Sequence, residues 1–128
     1  MIAEWTNWTE KFQKEVANAE DALALIQRLS ANIDLPAIVQ FYDPTSRRSL
    51  GIGVGRQKTV VTYEESLDPP YYISMGDPAE EGTDWFCYGG EESEYLAKNL
   101  VPFGSALEAL RSFFEKPGLP TQLKWEAP

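Results

Sequence analysis

The chain contains no histidine. That absence removes the commonest general base, the commonest metal ligand and the side chain that ordinarily titrates near neutral pH. Cys87 is the single cysteine, which excludes an internal disulfide and any zinc site built from cysteines. No stretch approaches the roughly 20 apolar residues of a membrane helix. The opening Met1-Ile2-Ala3-Glu4-Trp5 has neither the basic start nor the apolar run of a signal peptide. The expectations are a cytoplasmic protein without metal or cofactor, in which the Asn7-Trp8-Thr9 sequon is a chance match. A further absence is local: from Thr59 to Ala97 there is no Lys or Arg.

That cation-free stretch holds ten of the chain's 20 carboxylates: Glu64, Glu65, Asp68, Asp77, Glu80, Glu81, Asp84, Glu91, Glu92 and Glu94. Tyr63, Tyr71, Tyr72, Trp85, Phe86, Tyr88 and Tyr95 run through it. A surface that serves only solubility mixes both signs of charge. An acidic, aromatic-rich one suits docking to a basic protein and repels nucleic acid and anionic membranes. The candidate partner-binding residues are therefore Glu64, Glu65, Asp77, Glu80, Glu81, Asp84, Trp85, Glu91, Glu92, Glu94 and Tyr95.

At 128 residues, 43% hydrophobic and 12% aromatic, with a net charge of −9, the chain reads as one folded domain spanning residues 1–128. Such a length buries roughly two-thirds of the unfolded surface. The alternation of Trp8, Glu10, Phe12, Lys14 and Val16 suits a strand. Asn18 is placed to cap a helix with Asp21 at its third position, and Ala22, Leu25, Ile26 and Leu29 follow at helical spacing up to Asn32 and Pro36. Short strands are predicted at Ala37–Tyr42, Leu50–Val54, Thr59–Tyr63, Tyr71–Met75 and Asp84–Tyr88, separated by Asp43-Pro44-Thr45-Ser46, Gly55, Asp68-Pro69-Pro70, Gly76-Asp77-Pro78 and Gly89-Gly90. A second helix fits Gly104–Lys116, with Leu107, Leu110 and Phe114 on one stripe and Phe113 beside it. A closing strand fits Gln122–Trp125. The expected class is α+β: an antiparallel meander of about five to seven strands with both helices on one face. Most acids then fall on turns rimming the sheet. Trp85-Phe86-Cys87-Tyr88 is apolar on both faces, so rings left on the open side form either a second small core or a binding surface.

The other motifs read as structural. Gly51-Ile52-Gly53-Val54-Gly55 is followed by strand residues rather than a helix, so it is no dinucleotide fingerprint, and no Lys-Ser/Thr follows a glycine to make a triphosphate loop. Alternate glycines in a strand permit a bulge or the close approach of a large side chain. Cys87 reads as a buried thiol, because nothing cationic is near it in sequence to lower its pKa. Trp5, Trp8 and Trp125 read as core or sheet-edge residues, although Trp near a surface is a typical interface anchor. The carboxylates match no EF-hand order, and a hydrolase pair needs two acids converging in one cleft.

Several segments together resemble the type 1 immunity proteins of bacterial polymorphic toxin systems. These are Gly51-Ile52-Gly53-Val54-Gly55, Thr62-Tyr63, Tyr72-Ile73-Ser74-Met75-Gly76-Asp77-Pro78 and Trp85-Phe86-Cys87-Tyr88-Gly89-Gly90. They continue through Glu94, Val101-Pro102 and Ala106–Phe114 to Gly118, Pro120 and Trp125. The resemblance implies an α+β cytoplasmic inhibitor of a cognate toxin, often a nucleic-acid cytidine deaminase. It transfers no interface, so the candidate residues rest on the charge argument. A toxin that acts on DNA or RNA presents a basic groove, and an acidic inhibitor competes for it with fast, steered association. A nuclease toxin as partner, a generic acidic interaction module and a small hydrolase using a carboxylate pair stand as the alternatives.

Overall fold

The computed structural model describes residues 1–32, 34–66 and 68–126. The chain opens with a hairpin of β1 (Ile2–Thr6) and β2 (Lys11–Glu15). Its turn is set by Asn7, whose side-chain oxygen accepts from the backbone N–H groups of Thr9 and Glu10 at 2.9 and 2.7 Å. Helix α1 (Ala19–Asn32) starts where its cap predicts. Asn18 Oδ1 accepts from the Asp21 N–H at 3.0 Å, and the Asp21 carboxylate accepts from the Ala17 N–H at 3.3 Å. Ala22, Leu25 and Ile26 are buried, as their spacing requires.

The meander follows as β3 (Ala37–Tyr42), β4 (Ser49–Val54), the two-residue β5 (Lys58–Thr59), β6 (Val61–Glu64) and β7 (Tyr71–Met75). Strands β3, β4, β6 and β7 pair in that order and antiparallel. Next come β8 (Thr83–Tyr88), β9 (Glu91–Leu96), a 3₁₀ turn at Ala97–Asn99 and β10 (Val101–Pro102). Helix α2 (Phe103–Glu115) and β11 (Lys124–Glu126) complete the chain. The main sheet runs β11-β7-β6-β4-β3-β1-β2, while β10 and β5 form a separate antiparallel pair.

One face of this sheet carries both helices. Val39 and Phe41 of β3, Leu50, Ile52 and Val54 of β4, and Val61 and Tyr63 of β6 point to it. They pack there with Ala22, Leu25 and Ile26 of α1 and Ala106, Leu110 and Phe113 of α2. Alternation in the strands and the helical stripe thus meet in one core. Leu107 and Phe114 sit half-buried at its margin. The two helices are also tied by Arg111, which donates to Glu20 at 2.6 Å.

The opposite face is covered only in part. Strand β8 joins the sheet through a single parallel bridge, Ala37 to Cys87, and pairs along its whole length with β9. The β8–β9 hairpin brings Phe86 over the sheet, where it forms a second small core with Ile38, Val60 and Leu100. Gly53 lies beneath the ring: a Cβ added there would come within 2.5 Å of Cε1 of Phe86. Gly53 therefore serves close approach by a large side chain, and Cys87 is fully buried beside this contact.

The α+β class and the helices on one face agree with expectation, but the described residues form eleven strands, nine of them in the main sheet, rather than five to seven. The strand expected over Thr59–Tyr63 is broken at Val60 into β5 and β6, and three strands were not anticipated. The two-residue β10 is too short to show a period, Ile2-Ala3-Glu4-Trp5-Thr6 of β1 carries no strict apolar alternation, and Glu91-Glu92-Ser93-Glu94 of β9 lacks one as well. An edge strand with one neighbour needs little of it: Tyr95 alone packs against Phe86, 6.0 Å between ring centroids. The strand expected over Trp8–Val16 is in fact the hairpin turn plus β2. Glu91, Glu92 and Glu94 accordingly lie on a strand, not on turns.

Gly53→Ala is expected to lower stability by about 1–3 kcal/mol through overpacking against Phe86. Gly104→Ala, where an added Cβ meets nothing within 4 Å, is expected to leave stability unchanged or raise it. Urea unfolding midpoints at constant slope measure both. Equal midpoints for the two variants would show that the Phe86 contact relaxes freely.

Candidate partner-binding surface

The sequence-selected acids fall into two places. Glu64 and Glu65 sit at one end of the sheet, where Glu64 of β6 faces Tyr71, the first residue of β7. Asp77, Glu80 and Glu81 lie beyond the other end of β7, in the connection to β8, and Asp84 is the second residue of β8. Glu91, Glu92 and Glu94 continue this second group along β9, where Glu94 pairs with Trp85 and Tyr95 with Asp84. The fold thus gathers nine of the eleven candidates on and around the β8–β9 hairpin and leaves Glu64 and Glu65 apart.

The stretch is free of cations only in sequence. Arg48 binds Glu65 at 2.8 Å, Arg56 lies 3.4 Å from Asp84, and Lys58 lies 3.9 Å from Glu80. Glu65 also accepts from the buried Tyr63 hydroxyl. That bond first, and Arg48 next, hold its carboxyl below the usual range, while burial pushes the Tyr63 phenol up. Glu65 is therefore part of the scaffold. Asp77 accepts from the Ala79 N–H at 2.9 Å and shapes its own turn. Among the described residues, Glu81, Glu91, Glu92 and Glu94 are exposed and have neither an ion pair nor a side-chain hydrogen bond. Tyr95 is half-buried against Phe86, and burial raises its pKa.

Two neighbours fix Trp85 through three contacts. Trp8 stacks on it at 5.9 Å and 26°, the Arg56 guanidinium lies 5.1 Å from its ring centroid, and Arg56 Nε donates to its carbonyl at 3.0 Å. Trp8 itself, at the tip of the β1–β2 turn, is 51% exposed. Sequence reasoning placed it with the core and edge residues. The available signal was its position between Asn7 and Thr9, a turn rather than an alternating strand site. Trp5 and Trp125 are half-buried against the main core as expected.

A groove on the helix-free face, about 850 Å³ in volume, is the second feature missed from sequence. Pairing registers place two rows of side chains across this face. One runs Glu15, Ile2, Tyr42, Ser49, Glu64, Tyr71, and the other Gln13, Glu4, Gln40, Gly51, Thr62, Ile73. Ser49 is small and lines the hollow, whereas the side chains of Thr62, Gln40 and Ile38 close over Gly51. Trp8, Tyr88 and the Gly89-Gly90 turn wall one side of the hollow. Its floor carries Gln40, whose Nε2 donates to the Tyr88 hydroxyl at 3.2 Å while its Oε1 is buried without a donor. Among the described residues, no three acids or cysteines converge to hold a metal ion, and no helix is long and apolar enough to cross a membrane.

The family model described as Immunity protein Imm1 matches residues 6–127, and the chain belongs to that family. No curated protein matches the chain.

Glu64 provides a pH-dependent readout of the groove. It is half-buried, has no cation partner among the described residues, and burial raises its pKa above the ordinary 4.5. The folded state then holds this proton more tightly than the unfolded state does. Its effect on stability is therefore unfavourable above that raised value and disappears as pH falls below the ordinary one. Glu64→Gln is expected to melt higher than the wild type at pH 7, with the difference closing below pH 4.5. Thermal melts across pH 3.5 to 7 check this. A lower melting temperature for E64Q at pH 7 would mean that the carboxylate stabilises the fold.

Proposed function

We propose that this Imm1 immunity protein binds and neutralises a cognate toxin domain that acts on nucleic acid, a cytidine deaminase, by covering its basic substrate surface. The observation that carries the reading is the row of unpaired, exposed carboxylates Glu91, Glu92 and Glu94 on an edge strand, beside the Trp8–Trp85 stack. Aromatic anchors ringed by charge are the usual makeup of a tight interface centre and its rim. A toxin groove built for phosphates presents the complementary sign. The deaminase follows from the family resemblance. A nuclease groove would meet the same carboxylates, and the toxin's product, deaminated base or broken strand, separates the two. Binding alone suffices for such a role, and no catalytic group is assigned.

Edge strands are commonly guarded by charge against pairing with other chains, and this is the competing explanation for the β9 glutamates. Lysine guards an edge as well as glutamate does, so charge reversal separates the explanations. The test uses the toxin domain encoded by the neighbouring gene, with association followed by stopped flow. The wild-type on-rate is expected to fall at least about tenfold from low to high salt. The E91K/E92K/E94K variant, still monomeric, is expected to associate about ten to a hundred times more slowly at low salt. A salt-independent on-rate, or an unchanged rate in the reversal variant, would sink the acidic-edge reading.

A further inference from the structure

Strand β9 forms a free edge, since β8 is its only strand neighbour among the described residues. Its hydrogen bonds settle which backbone groups face outward. The Ala97 N–H donates to the Gly82 carbonyl at 2.9 Å. Bonded pairs alternate along an antiparallel ladder, so Asp84–Tyr95, Phe86–Ser93 and Tyr88–Glu91 are bonded too. The Cys87 N–H agrees with this, turning away from β9 to the Pro36 carbonyl at 2.7 Å. So does the two-residue turn after Tyr88, where Gly89 and Gly90 take φ of 62° and 80°. Glu92, Glu94 and Leu96 therefore point their N–H groups outward, and Glu92 and Glu94 their carbonyls as well, with no strand to receive them. All three side chains are exposed, opposite Cys87, Trp85 and Thr83 and on the face that Trp85 occupies.

We propose that this edge takes up an extended basic segment of the toxin as a further strand, antiparallel to β9. The inference rests on the toxin-binding reading above and adds the mode of capture: main-chain hydrogen bonds as well as charge. Strand addition draws affinity from the backbone and specificity from side chains at alternate positions. Those positions here are Glu92, Glu94 and Leu96. The matching segment carries an apolar residue opposite Leu96, then Lys or Arg two and four positions later, opposite Glu94 and Glu92. Opposite charges facing each other across strands stabilise the pair, and like charges destabilise it. Proteins protect open edges with proline, bulges, lysine or other charges. Strand β9 has no proline and pairs with β8 through six consecutive residues without a bulge, so its glutamates are the only guard. That guard is selective. A second copy of β9 is a poor occupant, because pairing centred on Glu92, Ser93 or Glu94 sets glutamate against glutamate. The opposite edge, β2, carries Lys11, Lys14 and Glu15 and offers no single sign to a partner. A toxin domain that binds phosphates is rich in the basic segments that β9 admits.

The experiment has two arms. In the first, amide hydrogen exchange is followed by NMR in the isolated protein and in its complex with the neighbouring-gene toxin domain. The Glu92, Glu94 and Leu96 amides are expected to exchange at least about tenfold more slowly in the complex. Ser93 and Tyr95, already bonded to β8, are expected to change less. In the second arm, dissociation of the toxin domain is compared for Glu94→Gln and Glu94→Pro. Both remove the charge, but only E94P removes an N–H, and it is one that the fold does not use. E94P is expected to dissociate about tenfold faster than E94Q. Unchanged exchange of the three amides in the complex would overturn the proposal, as would equal dissociation of E94Q and a folded E94P. If E94P does not fold, the exchange pattern alone decides. Protection of the three amides that rises with concentration in the isolated protein would overturn it in favour of a second copy. If the amides stay unprotected while E91K/E92K/E94K loses fast association, the acidic-edge reading stands and strand addition falls. Protected amides in a complex indifferent to salt and to charge reversal would remove the acidic-edge reading, and with it the basic character assigned to the strand.

Discussion

The position of the acidic hairpin depends on the ring of Phe86 lying against a strand that has no side chain at Gly53. Backbone pairing holds β8 to the main sheet weakly, through one parallel bridge and the 2.7 Å bond from the Cys87 N–H to the Pro36 carbonyl. A hydrogen bond of that kind contributes about 1 kcal/mol net. Burying a phenylalanine ring contributes about 1.5–3 kcal/mol, so the ring is the main anchor. Arg56 reinforces it from the other side of the chain by touching Trp85, Phe86 and Asp84 together. The Trp8–Trp85 stack and the Gly90 N–H bond to Thr6 Oγ1 at 2.9 Å then set the hairpin's place relative to the β1–β2 turn.

The excess of acid is resolved unevenly. Arg48, Arg56 and Lys58 lie outside the cation-free stretch in sequence, yet the fold sets each against one of its carboxylates. Among the described residues, the acids of this stretch left without an ion pair are Glu91, Glu92 and Glu94 on the β9 edge, Glu64 in the groove, and Asp68, Asp77 and Glu81 in the connections. The β9 carboxylates and Glu64 differ in solvation. Exposed charges act over about a Debye length, roughly 8 Å at physiological salt, and influence encounter more than residence. A half-buried carboxylate loses solvation, acts only at contact and influences how long a complex lasts. Trp8 joins them, since it lines the groove and stacks on Trp85 of the hairpin.

Much of the scaffold could be read directly. Asn18 and Asp21 announced a helix start, the helical spacing of Ala22, Leu25 and Ile26 announced its buried face, and Ala37–Tyr42 and Tyr71–Met75 showed strand composition from end to end. The alternate glycines pointed to close approach by a large side chain, which the Phe86 contact bears out at Gly53. The reading failed where local pattern is weak. Strand β9 has the composition of a loop and is a strand because β8 pairs with it, and β1 carries no period distinct from its turn. At the candidate surface, the hairpin acids and Trp85 were legible as a cluster, but Glu65 was not recognisable as a partner of Tyr63 and Arg48. Trp8, Gln40 and Tyr42 gave no sign of sharing one hollow.

Composition and spacing by themselves determined the class of the fold, the buried faces of its helices, the absence of histidine chemistry and the acidity of the middle of the chain. These are local or summed properties, set by alternation, helical period and charge count. Tertiary structure alone decided which carboxylates are neutralised, which rings stand exposed and where a groove opens. Each of those depends on residues brought together from distant strands: Arg48 to Glu65, Trp8 to Trp85, Gln40 to Tyr88. Pairwise distances of that kind are set by strand register and by which face the helices leave uncovered. No window of sequence contains them.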